Sequence, residues 1–310
     1  MEDSFIKIII SGLDNAGKTS ILTALDRKYD FRKAVMELKP TIRVEYHQTE
    51  FLSQPVILWD MGGQKKYRKL YDKRKAVYFD ETDLLVYVID VQDSDRYEES
   101  LSYLSLILSF FIENDLDIPI IIALHKYDPE IRSDENVNQN IDALRQQIVD
   151  ILPDFKILFQ LTSIYDLVSI VQLVSYGLSV FDEKFFELSA LFEDYIEIFN
   201  AISLILFDQN GIIVSEFYNE DLDMERYVRL IESIKEHLFL LKRMEEEQYQ
   251  EQTDFIDLED NYVSYLHQIT FNDQIFFLST LLNEEHKDNF LKEFADFKKD
   301  INKILEEILS

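Results

Sequence analysis

The chain has 310 residues, about the length of two domains, and 47% of them are hydrophobic and 13% aromatic, which supplies packed cores and excludes a wholly disordered chain. Its 60 acidic residues against 31 basic ones give a formal charge of −29, which works against unassisted binding to nucleic acid or to anionic lipid. Cysteine is absent, so disulfides, thiolate metal sites, prenylation and palmitoylation are all excluded.

No apolar run reaches the length of about 18 residues that a membrane span needs. The Met-Glu-Asp start lacks the second-position glycine of myristoylated chains. A cytoplasmic protein is expected, peripheral to a membrane only through a partner. Residues 1–180 hold 20 basic and 29 acidic residues, whereas 181–310 hold 11 and 31, so two units with different tasks are expected, divided near residue 181.

In the first unit, strands are expected at 5–10, 55–60, 84–91, 118–124 and 156–161, each a short apolar or β-branched run. Helical periodicity follows the loop after the first strand and recurs at 100–114, 137–152 and 165–178. Strands alternating with helices predict an α/β fold, a mostly parallel sheet covered on both faces. The second unit has another rhythm. A helix at 184–201 precedes a hairpin folded at Gln209-Asn210-Gly211, then a long helix at 223–247. A meander from about 254 to 282 turns at Asp260-Asn261 and Asn272-Asp273, and a helix at 284–309 ends the chain. The expected order is α-ββ-α-βββ-α around a five-stranded antiparallel sheet.

Gly12-Leu-Asp-Asn-Ala-Gly17-Lys18-Thr19 fits the phosphate-loop pattern G-x-x-x-x-G-K-[ST] and stands between a strand and a helix. The amides of Asp14, Asn15, Ala16, Gly17, Lys18, Thr19 and Ser20 are candidates for the phosphate cradle, with Lys18 reaching the β/γ oxygens and Thr19 a ligand of Mg²⁺. In Trp59-Asp60-Met61-Gly62-Gly63-Gln64, Asp60 suits an Mg²⁺ contact through water, Gly63 an amide to the γ-phosphate, and Gln64 the orientation of an attacking water. Gly12, Gly17, Gly62 and Gly63 are four of only six glycines, so most of the glycine falls in two phosphate-facing loops. Thr41, between the first helix and a strand, is a second hydroxyl for Mg²⁺ and a sensor of the γ-phosphate.

His125-Lys126-Tyr127-Asp128 closes the 118–124 strand. Asp128 can accept hydrogen bonds from guanine N1 and N2, donors that adenine lacks, while Lys126 can lie along the base. After the last strand, Thr162 can brace the loop and the backbone around Ser163 and Ile164 can meet guanine O6. Arg43 is read as a surface arginine on a strand, with an arginine finger in cis as the alternative. The basic cluster Lys65, Lys66, Arg68, Lys69, Lys73, Arg74 and Lys75 is either a partner surface or a solvated helix face. The five histidines show no ligand spacing.

On these motifs residues 1–180 resemble a small GTPase, and His125-Lys126-Tyr127-Asp128, Thr162-Ser163-Ile164-Tyr165-Asp166 and Thr41-Ile42-Arg43-Val44-Glu45 resemble the Rag/Gtr branch. That resemblance implies a roadblock (longin-like) domain at 181–310 that makes a homo- or heterodimer. It also implies GTP/GDP and Mg²⁺ as ligands, with activating and exchange proteins as partners. The loop Gly12-Leu13-Asp14-Asn15-Ala16-Gly17 and the run from Trp59 resemble Arf-like proteins instead. The alternatives are therefore an Arf-like traffic GTPase with an appended longin-type module, or a scaffold stabilised by nucleotide without turnover. As a switch, the chain is expected to turn over on the order of 10⁻⁴–10⁻² s⁻¹ unassisted, with Gln64, Lys18 and Thr41 as its catalytic groups.

Overall fold

A computed structural model describes residues 5–25, 39–51, 54–151, 155–166, 169–170, 172–173, 176–177, 184–208, 212–219, 255–259, 261–271 and 274–308. They belong to two compact units, Met1–Gly177 and Leu178–Ser310. The expectations for the turns at 209–211 and 272–273, for Asp260, for the helix at 223–247 and for residues 178–183 lie outside the described residues.

The first unit contains β1 (Ile6–Gly12), α1 (Lys18–Leu25), β2 (Val44–Phe51), β3 (Gln54–Met61), α2 (Lys65–Lys73), α3 (Lys75–Phe79) and β4 (Leu84–Asp90). It continues with α4 (Tyr97–Glu113), β5 (Ile120–His125), α5 (Glu135–Ile151) and β6 (Ile157–Thr162). The described residues among 169–177 are helical. The sheet order is β2-β3-β1-β4-β5-β6. All neighbours are parallel except the edge strand β2, which runs antiparallel to β3.

β1, β4 and β5 are almost wholly buried, the pattern of strands covered on both faces. On one face Ile9, Leu85, Tyr87 and Ile122 share a core with Leu104, Ile107 and Phe111 of α4 and Leu144 and Ile148 of α5. Alternate residues stand on the other face, where Gly177 approaches Leu84 and Ile121. α4 starts with Glu98 and Glu99 in its first turn, the favourable sign for a helix N-terminus.

In the second unit α6 (Lys184–Phe199) precedes β7 (Ala201–Asp208) and β8 (Ile213–Tyr218). β9 (Phe255–Glu259), β10 (Tyr262–Phe271), β11 (Gln274–Asn283) and α7 (Lys287–Ile308) follow. The antiparallel sheet has the order β8-β7-β11-β10-β9, so the hairpin strand β7 pairs with the last strand rather than with the first of the meander. Asn200 and Asn261 take left-handed backbone angles (φ 50° and 71°), which asparagine tolerates better than most residues and which turn the chain into β7 and β10. α6 and α7 pack on each other through Phe192, Tyr195, Phe199, Phe290 and Phe297, with ring centroids 4.5–5.4 Å apart. Phe297 touches three of these rings and is fully buried. Phe297→Ala should lower the stability of this unit by about 3–5 kcal/mol, read from the shift of its denaturant midpoint. A loss below about 1 kcal/mol would mean that the ring is not at the centre of the packing.

Candidate functional site

The parallel strands end on one edge of the sheet, and each end delivers a polar residue there: the loop after β1, Asp60 on β3, Asp90 on β4, His125 on β5 and Thr162 on β6. The loop between β1 and α1 bends through Asn15 (φ 63°) and Gly17 (φ 98°). A Cβ on Gly17 would stand 2.3 Å from Cδ2 of His125, so the missing side chain makes room for the imidazole against the loop. His125 is 1% exposed, and its Nδ1 lies 2.9 Å from Thr162 Oγ1. One ring thus joins the phosphate loop to the end of the last strand. Burial, and then the charge of Lys126, pushes the His125 pKa down to about 3, which keeps the ring neutral.

Lys18 is buried at the start of α1, and its Nζ donates to the carbonyls of Leu13 (2.6 Å) and Gly12 (3.2 Å). Burial lowers its pKa to about 8 against the opposing pull of Asp60 and Asp14. Thr19 Oγ1 donates to Asp60 Oδ2 at 2.6 Å, Thr41 Oγ1 donates to the same oxygen at 3.1 Å, and the two hydroxyls are 2.8 Å apart. Asp60 is fully buried, and its Oδ1 has no hydrogen-bond partner among the described residues. Two hydroxyls and a carboxylate with an orphaned oxygen are a hard donor set that fits Mg²⁺. Among the described residues no cluster of three His, Asp or Glu side chains could hold a metal by itself.

Gly63 packs directly on the phosphate loop: its Cβ would stand 2.2 Å from the Asp14 nitrogen. Gln64 is the N-cap of α2, and its carbonyl accepts the amides of Tyr67 (2.8 Å) and Arg68 (3.0 Å). Its side chain is half-buried and makes no hydrogen bond among the described residues. Arg43 departs from expectation. It lies before β2, not on it, in a left-handed bend (φ 63°). Its exposed side chain meets no charge of the site, while its carbonyl accepts the Gly62 amide (2.6 Å) and the Tyr71 hydroxyl (2.7 Å). The backbone there ties the Thr41 segment to the Gly62 segment. The basic run after Gln64 spans α2, the turn at Arg74 and the first residue of α3, and Arg68 is turned inward.

At the other end of the loop, Asp128 accepts from Ser163 Oγ at 2.6 Å and from Gln92 Nε2 at 2.9 Å. Lys126 (φ 63°) is held by Asp90, Nζ to Oδ2 2.6 Å. The Ser163 amide, expected near a base oxygen, donates to Ser169 Oγ (3.1 Å), whereas no hydrogen bond engages the Ile164 amide among the described residues. Gln92 and Asp90 were not anticipated. Asp90 had a signal, because it stands at the end of its strand much as Asp60 stands near the end of β3. Asp14 is exposed and pairs with Arg96 (2.7 Å), Asn15 is exposed, Ala16 is buried and Ser20 is half-buried.

Residues 1–165 match the sequence model of the ADP-ribosylation factor family. The chain belongs to the ADP-ribosylation factor family. Members bind GTP or GDP with Mg²⁺ and are GTP hydrolases. Similar proteins include ADP-ribosylation factor-like protein 3 of Chlamydomonas reinhardtii, 35% identical over 122 residues, covering 39% of this chain and 63% of that protein. ADP-ribosylation factor-like protein 5 of Caenorhabditis elegans is 38% identical over 91 residues, covering 29% of this chain and 46% of the relative. The alp41 protein of Schizosaccharomyces pombe is 32% identical over 108 residues, covering 35% and 53%. The chain thus spans between 46% and 63% of the length of these relatives. Among solved structures, the Arl6 BBS3 small GTPase from Trypanosoma brucei with bound GppNp superposes with a TM-score of 0.46 and 18% identity, over 57% of this chain and 97% of that one. The family match covers the first unit and names Arf where the sequence resemblance favoured Rag/Gtr.

The neutral histidine has a pH signature. Between its ordinary pKa and about 3, the unfolded chain takes up a proton that the folded chain refuses. Its contribution to stability is therefore complete above that ordinary value and falls as pH drops toward 3. Denaturant midpoints of the wild type and His125→Asn, compared from about pH 7 to pH 4, should show the wild type losing ground steadily to the variant. A difference that stays constant with pH would contradict a buried neutral ring.

Proposed function

We propose that this chain is an Arf-like GTP-binding switch that hydrolyses GTP slowly to GDP with Mg²⁺. The observation that carries the reading is the meeting of Thr19, Thr41 and the half-orphaned Asp60 beside Lys18. In this reading the loop amides from Asp14 to Ser20 cradle the phosphates, and Lys18 leaves the Gly12 and Leu13 carbonyls to reach them. Thr19 and Thr41, with Asp60 behind a water, would hold Mg²⁺, which would supply charge neutralisation for the phosphate oxygens. The amide of Gly63 meets the γ-phosphate. Gln64, with its main chain fixed at the start of α2 and its side chain unengaged, orients the attacking water. Thr41 and Gly62 sit on segments joined through the Arg43 carbonyl, so ordering one orders the other around the γ-phosphate. Asp128 selects guanine, with Lys126 along the base and the Ile164 amide toward its carbonyl oxygen.

Activating and exchange proteins are the expected partners, and a membrane is reached through a partner. A second reading, a Rag/Gtr-type GTPase whose last 130 residues are a roadblock domain, has two supports. One is the histidine of His125-Lys126-Tyr127-Asp128. The other is the helix, hairpin, meander and helix of the second unit around its five-stranded antiparallel sheet. In that reading the second unit pairs with another roadblock domain.

Single-turnover conversion of GTP with Mg²⁺ tests the switch. The wild type should convert GTP at about 10⁻⁴–10⁻² s⁻¹, and Gln64→Leu should be slower by about tenfold or more. Tight binding without conversion in either protein would leave a scaffold in which nucleotide only stabilises the fold. Base selection is tested separately. Asp128→Asn should lower the preference for GTP over xanthosine triphosphate by about a hundredfold or more. An unchanged preference would remove Asp128 from the base site.

A further inference from the structure

Five groups, from the carbonyl of Gly63 to Asp14 of the phosphate loop, form one unbroken chain of polar contacts. Arg68, on the first turn of α2, donates from Nε to the carbonyl of Gly63 at 2.8 Å. Its Nη2 donates to Glu99 Oε1 on α4 at 2.5 Å. The other oxygen of Glu99 lies 3.3 Å from Nε of Arg96. Arg96 in turn donates from Nη1 to the Asp14 carbonyl (3.0 Å) and from Nη2 to its carboxylate (2.7 Å). Asp14 belongs to the phosphate loop, and the carbonyl of Gly63 defines the plane of the peptide that leads into Gln64. We propose that Glu99 is a positioning residue for GTP hydrolysis, which holds the Gly63–Gln64 peptide and the Asp14 end of the phosphate loop in one arrangement through Arg68 and Arg96.

The physical case rests on who would hold these groups otherwise. Arg68 is only 11% exposed, stacked 5.2 Å above Tyr103, and among the described residues the Gly63 carbonyl is its one hydrogen-bond acceptor besides Glu99. Arg96 bonds both acceptor groups of Asp14, so its guanidinium fixes that residue's main chain as well as its side chain. Removing Glu99 would leave two arginines of like charge beside the phosphate loop with no carboxylate between them. Both are near enough to Lys18 to act on it electrostatically. An isolated exposed pair would contribute little, but a carboxylate shared by two arginines, one of them only 11% exposed, keeps its geometry. Gln64 gains most from this, since a displacement of its main chain by an ångström misplaces the water. Glu99 touches neither nucleotide nor water in this scheme; it acts through the arginines.

The inference rests on the GTPase reading, and its test separates the two. Full-length wild type, Glu99→Gln, Glu99→Ala, Arg68→Ala, Arg96→Ala and the double arginine variant are compared in single-turnover GTP hydrolysis. Their retention of GDP and of GppNp is measured alongside. The expected result is hydrolysis slowed about tenfold in both Glu99 variants, GppNp released about tenfold faster, and GDP release within about twofold of wild type. The double arginine variant should be no slower than Glu99→Ala, because all of these changes break one chain of contacts. A merely structural Glu99 would speed GDP and GppNp release alike, and that outcome overturns the proposal. So would wild-type behaviour of the isosteric Glu99→Gln, or arginine effects that multiply. If the wild type itself fails to turn over GTP, the switch reading falls, and the ratio of GppNp to GDP release still decides the role of Glu99.

Discussion

Everything at this site is arranged around a carboxylate that the fold has buried without fully satisfying. Asp60 pairs in register with Ile10 on β1 and with Glu45 on β2, so its position is set by two ladders and cannot relax toward solvent. One of its oxygens takes two hydroxyl donors; the other takes none among the described residues. An acceptor left bare in the interior costs on the order of 1–3 kcal/mol, more when it is charged. In the proposed reading the same three groups make a cation site as soon as phosphate is near, which gives the bare oxygen a use. β2 has a part in this that its edge position hides. Running back antiparallel on β3, it brings Thr41 to the end of the strand from which Asp60 points, so a local hairpin assembles what sequence holds 19 residues apart.

The opposite wall of the loop is held by a different device. Asparagine at position 125 would offer a short, flexible amide; histidine offers a rigid plane that fills the space left by Gly17 and reaches Thr162. The cost is a titratable ring in the interior, and burial resolves it in favour of the neutral form. A charged ring there would stand near Lys126 as a second cation. Position 17 and position 125 therefore constrain each other: no side chain fits on the first while the ring occupies the second.

The local parts of this arrangement were legible in the sequence. The phosphate loop, the glycine pair, Gln64 and the Lys126–Asp128 group depend on fixed spacings within a few residues, and strands rich in isoleucine and valine place them. Arg43 is exposed, as its reading as a surface arginine had it, but it was placed on a strand because its left-handed bend, tied by two hydrogen bonds to its own carbonyl from distant residues, leaves no local signature. Gln92 and the Arg68–Glu99–Arg96 chain were invisible for a related reason. Gln92 bonds Lys126 and Asp128 across the ends of β4 and β5, Arg68 meets Glu99 where α2 meets α4, and spacings of 34 and 31 residues carry no periodicity. The family assignment shows the same limit: motifs at the base end pointed to one branch, and the profile of the first 165 residues as a whole points to another.

The base end also shows why the protein's own hydrogen bonds need not be broken for a nucleotide to bind there. Asp128 already accepts from Ser163 on one oxygen and from Gln92 on the other. A carboxylate has about four acceptor directions, so two remain, one on each oxygen. In the proposed reading these are the two that guanine N1 and N2 require. The protein donors then do not compete with the base; they fix the plane of the carboxylate before it arrives. Lys126 is held likewise, by Asp90, with its stem available to the base. The switch end is the converse, with Lys18 bonded to carbonyls it must leave and Gly63 pressed on the loop. In that reading recognition of the base is built in advance, whereas the response to the γ-phosphate requires contacts to be exchanged, which is the asymmetry a switch needs.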